Sequence, residues 1–391
     1  MAQSTKTRGK VKPEKPYPDF PLFAHATGRW AKKIRGKLHY FGAWNDPDAA
    51  LNKYLAERDY LQSGRTPPAN LDGLTIRDLC NRYLTNKQHL LDNSELSPRT
   101  FQGYYATCEK IIGTFGKTRL VDDIAAEDFE QLRRSLAETR GPVALGNEIQ
   151  RVRGVFKYAY DEGLVERPIR FGQSFRKPSR KTLRLERASK TAKHGKRMFE
   201  ADELRTIIEN AGQPLKAMIL LGINCGFGAT DISNLPQSVV DLDNGWIDYP
   251  RPKTGVDRRC PLWSETVDAV RESITTRPRP QDDSHEQLVF ITKYGQPWVK
   301  TNAKGTPADA LGQEFSKLLT KLKLKRPGVS FYALRHTFET IGGDSRDQVA
   351  VDHIMGHVRD DMASLYRERI SDERLQAVTD GVHTWLFGAA T

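Results

Sequence analysis

Twenty-two residues, Arg176–Arg197, divide this chain: they hold ten Lys or Arg, one acid (Glu186) and few apolar side chains. Such a stretch adds little to any hydrophobic core. A chain of 391 residues interrupted in this way has to build its cores on either side, which agrees with the two or three domains expected at this length. The stretch reads as a basic linker over 176–197. It either tracks a phosphate backbone, through Arg176, Lys177, Arg180 and Lys181, or serves as a solvated spacer. Hydrophobic residues make up 38% of the chain, enough to exclude a wholly disordered protein. No apolar run is long enough to span a bilayer, and none follows the basic N-terminus, so a cytoplasmic, nucleoid-associated location is expected, with no membrane partner. Cys80, Cys108, Cys225 and Cys260 lie far apart with no CxxC pair, which argues against a disulfide framework or a thiolate zinc site.

The formal net charge is +12, and a basic protein of this size favours a polyanionic partner, most often nucleic acid. The charge is clustered. Residues 1–40 carry ten Lys or Arg against Glu14 and Asp19. Residues 1–18 are polar, with three prolines, and read as a disordered basic arm. From Pro21 to Gly42 aromatic and aliphatic residues alternate with basic ones, punctuated by Gly28 and Gly36. That pattern predicts an antiparallel meander of two or three strands, followed by a helix capped at Asp46-Pro47-Asp48 and running to about Leu61. The small sheet-plus-helix unit spans 19–66. One sheet face is expected to carry Arg29, Lys32, Arg35 and Lys37, either against a phosphate backbone or as a solvated face.

After a Ser/Gly/Pro-containing linker over 62–72, Thr75 with Asp78 forms a capping-box signal and Ser97-Pro98 a second helix start. With Ala125–Leu136 and Pro142–Tyr160 these give a helical domain of four or five helices over 74–175. Beyond the basic stretch, residues 198–391 form another unit. Helix signals cover Ala201–Asn210, Leu215–Cys225, Pro307–Leu322 and Leu334–Ile341, and Trp246–Leu262 is strand-like. The last residues, Leu375 to Phe387, bear an apolar stripe at helical spacing. It packs either on its own domain or on a neighbouring subunit. The fold class expected is therefore multidomain and mainly α with small β-sheets, the last domain being α+β.

Three side chains near the C-terminus stand in a specific order. Phe331-Tyr332-Ala333-Leu334-Arg335-His336-Thr337-Phe338 opens a helix, Met355-Gly356-His357 follows with His357 22 residues after Arg335, and Tyr366 comes nine residues later. This combination resembles the tyrosine recombinase (phage integrase) family, whose C-terminal boxes share the "LRHTF", the "MGH" and the following tyrosine. Arg251-Pro252-Lys253-Thr254-Gly255-Val256-Asp257-Arg258 looks like that family's β-hairpin, with Lys253 as its lysine. The resemblance implies an N-terminal arm-binding-like sheet domain, a helical core-binding domain and a catalytic domain. It also implies a site-specific recombinase or integrase of a mobile element, acting on double-stranded DNA as a tetramer, with host bending or directionality factors as further partners. In that reading Tyr366 is the nucleophile, retaining the bond energy as a 3′-phosphotyrosine. Arg335 forks onto two non-bridging oxygens. His357 donates to them or assists proton transfer, and Lys253 protonates the leaving 5′ oxygen. Neither metal nor nucleotide cofactor is required. Arg251 and Arg258 join the DNA-binding set.

Two positions depart from the family. Gly228 stands where an arginine is usual, while Asp231 keeps the acidic position; an unreplaced guanidinium attenuates the rate by roughly a hundredfold or more. Arg251, Arg258 and Arg259 are the candidate replacements. Tyr332 stands where a histidine is usual and can still hydrogen-bond a phosphate oxygen, with His336 as a second candidate. The Gly228 departure also supports an alternative, a DNA-binding regulator that no longer cleaves; a type IB topoisomerase keeps the chemistry without strand exchange. His353 and His357 sit at i, i+4 but lack the glutamate of an HExxH site, so no metal is expected. Asp360-Asp361 is read as a helix cap.

Overall fold

The computed structural model describes residues 12–64, 67, 73–302, 306–359 and 361–388. It divides into two compact units at Glu186/Arg187, inside the basic stretch. The expected arm over 1–18 lies mostly outside the described residues, as do most of the 62–72 linker and Asp360.

In the first unit, strands β1 (Phe23–His25), β2 (Arg29–Ile34) and β3 (Lys37–Ala43) form an antiparallel meander in that order. Helix α1 (Pro47–Ser63), capped by Asp46 Oδ1 accepting from Ala49 N at 2.8 Å, lies on one face. Phe20, Leu22, Trp30, Ile34, Phe41, Ala50 and Tyr54 fill the space between them. The register shifts at Trp30/Ala31; Trp30 enters the core, while Ala31, also buried, pairs with Phe23 and Tyr40 on the outer face. The four cations expected on one face are divided by the period of two along β2, which sends Arg29 and Lys32, three residues apart, to opposite faces. Arg29 pairs opposite His25 on the outer face, whereas Lys32 pairs opposite His39 and holds its ammonium 4.8 Å over the Tyr54 ring on the α1 side. Arg35 sits in the hairpin turn and donates to the Gln62 carbonyl. The outward face carries Phe23, His25, Arg29, Lys33, Leu38 and Tyr40 instead, with the His25 ring 5.2 Å from Tyr40.

The rest of this unit is helical: α2 (Ile76–Asp92), α3 (Pro98–Phe115), α4 (Ala126–Thr139) and α5 (Pro142–Asp161). The caps read from sequence are made, with Thr75 accepting from Asp78 N and Ser97 from Thr100 N. Phe129 meets Phe115 and Phe156 edge to face at 5.4 and 5.1 Å in the core, and the latter two are tilted at 6.1 Å, close enough to add to simple burial. Arg119, 4% exposed, forks onto Asp128 at 3.0 and 2.6 Å and onto the Asp123 carbonyl at 2.7 Å. Helix α6 (Arg180–His194) crosses the boundary between units with no buried residue. Its Lys, Arg, Leu and Ala are helix formers uninterrupted by Gly or Pro, so much of the basic stretch is helical.

The second unit is built around α8 (Leu215–Asn224), buried from Ala217 to Asn224. It follows α7 (Ala201–Glu209) and precedes α9 (Ala229–Ser233). Strands β4 (Val240–Asp241), β5 (Trp246–Asp248) and β6 (Arg259–Pro261) make a small antiparallel sheet. Helix α10 (Ser264–Thr275), the ribbon β7 (Val299–Thr301) with β8 (Pro307–Asp309), α11 (Ala310–Lys321), α12 (Tyr332–Gly342), α13 (Gln348–Met355), α14 (Met362–Leu365) and α15 (Asp372–Phe387) complete it. The helix expected from Pro307 starts at Ala310, because 307–309 pair with β7 and the Asp309 carboxylate caps Gly312 N at 2.7 Å. The C-terminal stripe packs on its own unit: Leu375, Val378, Val382 and Leu386 join the core, and Trp263 Nε1 donates to the Thr379 carbonyl at 3.1 Å. No helix among the described residues is long and apolar enough to cross a membrane.

Truncating Arg119 to Ala removes the guanidinium from the buried Asp128 carboxylate, and loss of one partner of such a pair costs about 3–5 kcal/mol. Denaturant unfolding of Arg119→Ala should show that loss; a change under about 1 kcal/mol contradicts it.

Candidate active site

Arg335 lies one turn inside α12, on the face that carries Leu334 and Phe338 into the core, and is itself only 2% exposed. Its Nη1 donates to the Gly226 carbonyl at 2.6 Å, and its Nη2 to the Met355 carbonyl at 2.7 Å. The guanidinium thereby ties the turn after α8 to the end of α13. Burial, followed by the like charge of Arg251, pushes its pKa down. Among the described residues it forms no ion pair.

His357 follows directly. Gly356 ends α13 in the left-handed region, φ 64°, which turns the chain so that His357 Nε2 lies 2.9 Å from Arg335 Nη2. The other ring nitrogen, Nδ1, faces Asp352 at 3.4 Å and Glu339 at 3.6 Å. Two carboxylates beside Nδ1 favour the proton there, which leaves Nε2 to accept from Arg335. Asp352 also binds Arg359 at 2.5 Å, and Arg359 in turn binds Asp361 at 2.8 Å. Asp361 caps the short helix that ends at Tyr366, accepting from Ser364 N at 2.9 Å. A chain of charged contacts thus runs from the histidine to the tyrosine segment. Glu339 and Asp352 are the residues that sequence reasoning did not single out. Glu339 had a signal, since it stands one helical turn after Arg335; Asp352 had none. With His357 they are the one His/Cys/Asp/Glu group among the described residues with ligand atoms all within 4.8 Å of one another; His353 is not part of it.

Tyr366 is 78% exposed, just past α14. Its neighbours Ser364 and Arg367 line an open cavity of about 420 Å³ together with His353, His357, Val256 and Asp257. The tyrosine segment, the histidine and the hairpin therefore border one space, although the phenol is not in contact with Arg335. Lys253 is exposed in the turn formed where Gly255 N donates to the Arg251 carbonyl at 2.8 Å. Tyr332, 52% exposed, stands edge-on to His336 with ring centroids 5.1 Å apart.

Gly228 has an ordinary backbone, φ −88°, and donates its N–H to Asp231 Oδ2 at 3.1 Å. Asp231 is neutralised by Arg258 at 3.3 Å. Arg258 is 2% exposed, donates to the Tyr249 carbonyl at 2.9 Å and stacks 4.3 Å over Phe227. Burial and the Asp231 charge push the Tyr249 phenol up to about 12. Arg259 is committed elsewhere, to Asp372 and Asp248, over the Trp246 ring. In the first unit Arg176, Lys177, Arg180 and Lys181 are all exposed, and the first two line a cavity of about 700 Å³ with Arg133 and Arg140.

A buried guanidinium hydrogen-bonded to an imidazole, with an exposed phenol just past α14 whose neighbours border the same cavity as that imidazole, thus stands on a mainly helical frame. Residues 197–372 match the sequence profile of the phage integrase family. It is 25% identical to tyrosine recombinase XerC of Pseudomonas putida, over 75% of this chain and 93% of that protein. To the XerC of Alcanivorax borkumensis it is 22% identical, over 78% and 92%. In fold it is similar to a lambda integrase tetramer bound to a Holliday junction (TM-score 0.55, 17% identity, 91% of this chain and 98% of that one). A Tn1549 transposon integrase in complex with a circular intermediate DNA also matches (TM-score 0.55, 15% identity, 79% and 99%).

Burial lowers the pKa of His336, helped by Arg197 and Arg335, and burial lowers that of His353. Both are held neutral when folded and bind protons more readily once unfolded. The stability they contribute is complete above the ordinary histidine value of 6.5 and is lost as pH falls below it. The melting temperature should fall between pH 7.5 and 5.5, and fall less in His336→Gln/His353→Gln. An equal fall in both proteins contradicts the assignment.

Proposed function

We propose that the chain is a site-specific DNA recombinase, the integrase of a mobile element, that exchanges strands through a 3′-phosphotyrosine at Tyr366. The observation that carries this is the buried Arg335 fork, which is held by two carbonyls, bonded to His357 and not matched by a carboxylate. A desolvated guanidinium without a counter-charge stabilises an anion placed beside it more than water would. Of its five N–H bonds, three are used by Gly226, Met355 and His357, which leaves two for phosphate oxygens.

In cleavage, the Tyr366 phenolic oxygen bonds to phosphorus as the bond from phosphorus to the 5′ oxygen breaks. The phenolic proton passes to His357 Nε2, which gives up its hydrogen bond from Arg335 Nη2 as it takes that proton, and Lys253 supplies a proton to the departing 5′ oxygen. Tyr332 donates to a phosphate oxygen. The exchange is isoenergetic to first order and needs no cofactor. Arg29, Lys32, Arg35 and Lys37 from the sheet unit, Arg176, Lys177, Arg180 and Lys181 from the basic stretch, and Arg251 from the hairpin contact double-stranded DNA; Arg258, expected in this set, is 2% exposed and bound to Asp231, so it is removed from it. The outward aromatic and basic row of the sheet supplies the best surface of the first group. Rejoining to a second site proceeds in a tetramer on a Holliday junction, with host bending or directionality factors as further partners. The mobile-element reading is supported by likeness to lambda integrase over 91% of the chain and to a transposon integrase.

A regulator that binds DNA without cutting is the second reading, favoured by Gly228. Cells expressing the chain are lysed in denaturant, covalent protein–DNA adducts are captured, and the attached DNA is sequenced. The recombinase reading expects one recurrent sequence, absent from Tyr366→Phe. Adducts that are absent from both proteins, while specific binding persists, support the regulator.

A further inference from the structure

We infer that Arg251 is the second guanidinium of the phosphate site, placed beside Arg335 to take a non-bridging oxygen of the same phosphate. This deepens the recombinase reading and rests on it for the identity of the anion. Arg335 and Arg251 hang on consecutive carbonyls of one turn, Arg335 Nη2 on Met355 at 2.7 Å and Arg251 Nη1 on Gly356 at 3.2 Å. His357 follows at the next residue. Among the described residues neither arginine forms an ion pair, and the nearby Asp231 is taken by Arg258. Two like charges fixed on one turn without a carboxylate are mutually unfavourable, and an anion between them removes that cost. Arg251 Nε is buried without a hydrogen-bond partner, a donor left over for a ligand. Arg251 is also partly exposed, as a group that meets DNA has to be.

The turn is shaped for this. A Cβ at Gly356 would meet Arg258 Cδ at 2.6 Å and Arg251 Cβ at 2.9 Å, so glycine lets both arginine stems pass under His357. Arg258 is the positioning residue. It is committed to Asp231 and the Tyr249 carbonyl and sandwiched near Phe227 and Tyr249, which fixes Asp231 away from Arg251.

The test is first-turnover cleavage of a nicked suicide duplex built on the captured sequence. Arg251→Ala should cleave about a hundredfold more slowly or worse, the usual cost of losing one oxyanion donor, while binding the duplex within severalfold of the unaltered chain. A duplex with a neutral methylphosphonate at the scissile position removes the charge that Arg251 answers, and there the deficit should shrink to under about tenfold. Gly228→Arg added to Arg251→Ala should recover cleavage, since a Cβ at 228 meets only Asp231 Oδ2 at 3.6 Å. If Arg251→Ala melts early, Arg251→Lys, which keeps charge and stem but loses the fork, gives the same comparison. A deficit equal on both duplexes, or no deficit, overturns the inference while Tyr366-dependent cleavage by the unaltered chain leaves the recombinase reading standing. No Tyr366-dependent cleavage by the unaltered chain overturns both.

Discussion

The second unit is organised around one desolvated charge. Arg335 is buried where water cannot solvate it, and its guanidinium is held by backbone carbonyls rather than by a carboxylate. A carboxylate there would have made a stable closed pair with nothing left to offer. Carbonyls hold the fork in place and leave its net charge unspent, so the site is poised for an anion from outside. Its cost to the fold is met by the large core around α8 and by the helices that wrap it.

The acids of the region are placed to keep that charge free. Asp231 is turned to Arg258, Asp352 to Arg359 and the Nδ1 side of His357, and Glu339 to the same nitrogen. Each carboxylate is matched away from the Arg335 fork, and two of them set the proton on the histidine so that Nε2 faces inward. The phenol stands apart at the surface on a short helix, joined to this framework by the Arg359–Asp361 contact. In the proposed reaction, a phenol held at the surface away from the buried Arg335–His357 pair attacks only after its segment is brought to the phosphate.

Much of this was legible in the residues themselves. Pro47, Pro98 and Pro142 each open a helix, with Asp46 and Ser97 as side-chain caps, because local chemistry decides helix starts. The order and spacing of Arg335, His357 and Tyr366 pointed to the chemistry, and the first two do meet. What stayed hidden depended on register or on distant contacts. The division of Arg29 from Lys32, by contrast, is legible in the residues, since positions three apart in one strand face opposite ways. The first three residues of the expected helix at 307 went to a two-stranded ribbon, since the pairing partner lies in β7. Asp352 as the partner of His357 depends on side-chain direction, and the commitments of Arg258 to Asp231 and of Arg259 to Asp372 depend on contacts between distant segments, which no local pattern encodes.

The most direct measurement is the structure of Tyr366→Phe bound to its captured DNA. The account predicts the scissile phosphate within hydrogen-bond distance of the spare N–H groups of Arg335, with the Gly226 and Met355 carbonyls still holding one N–H each. A phosphate bound elsewhere, with the Arg335 fork closed off by protein or paired to a carboxylate, contradicts it.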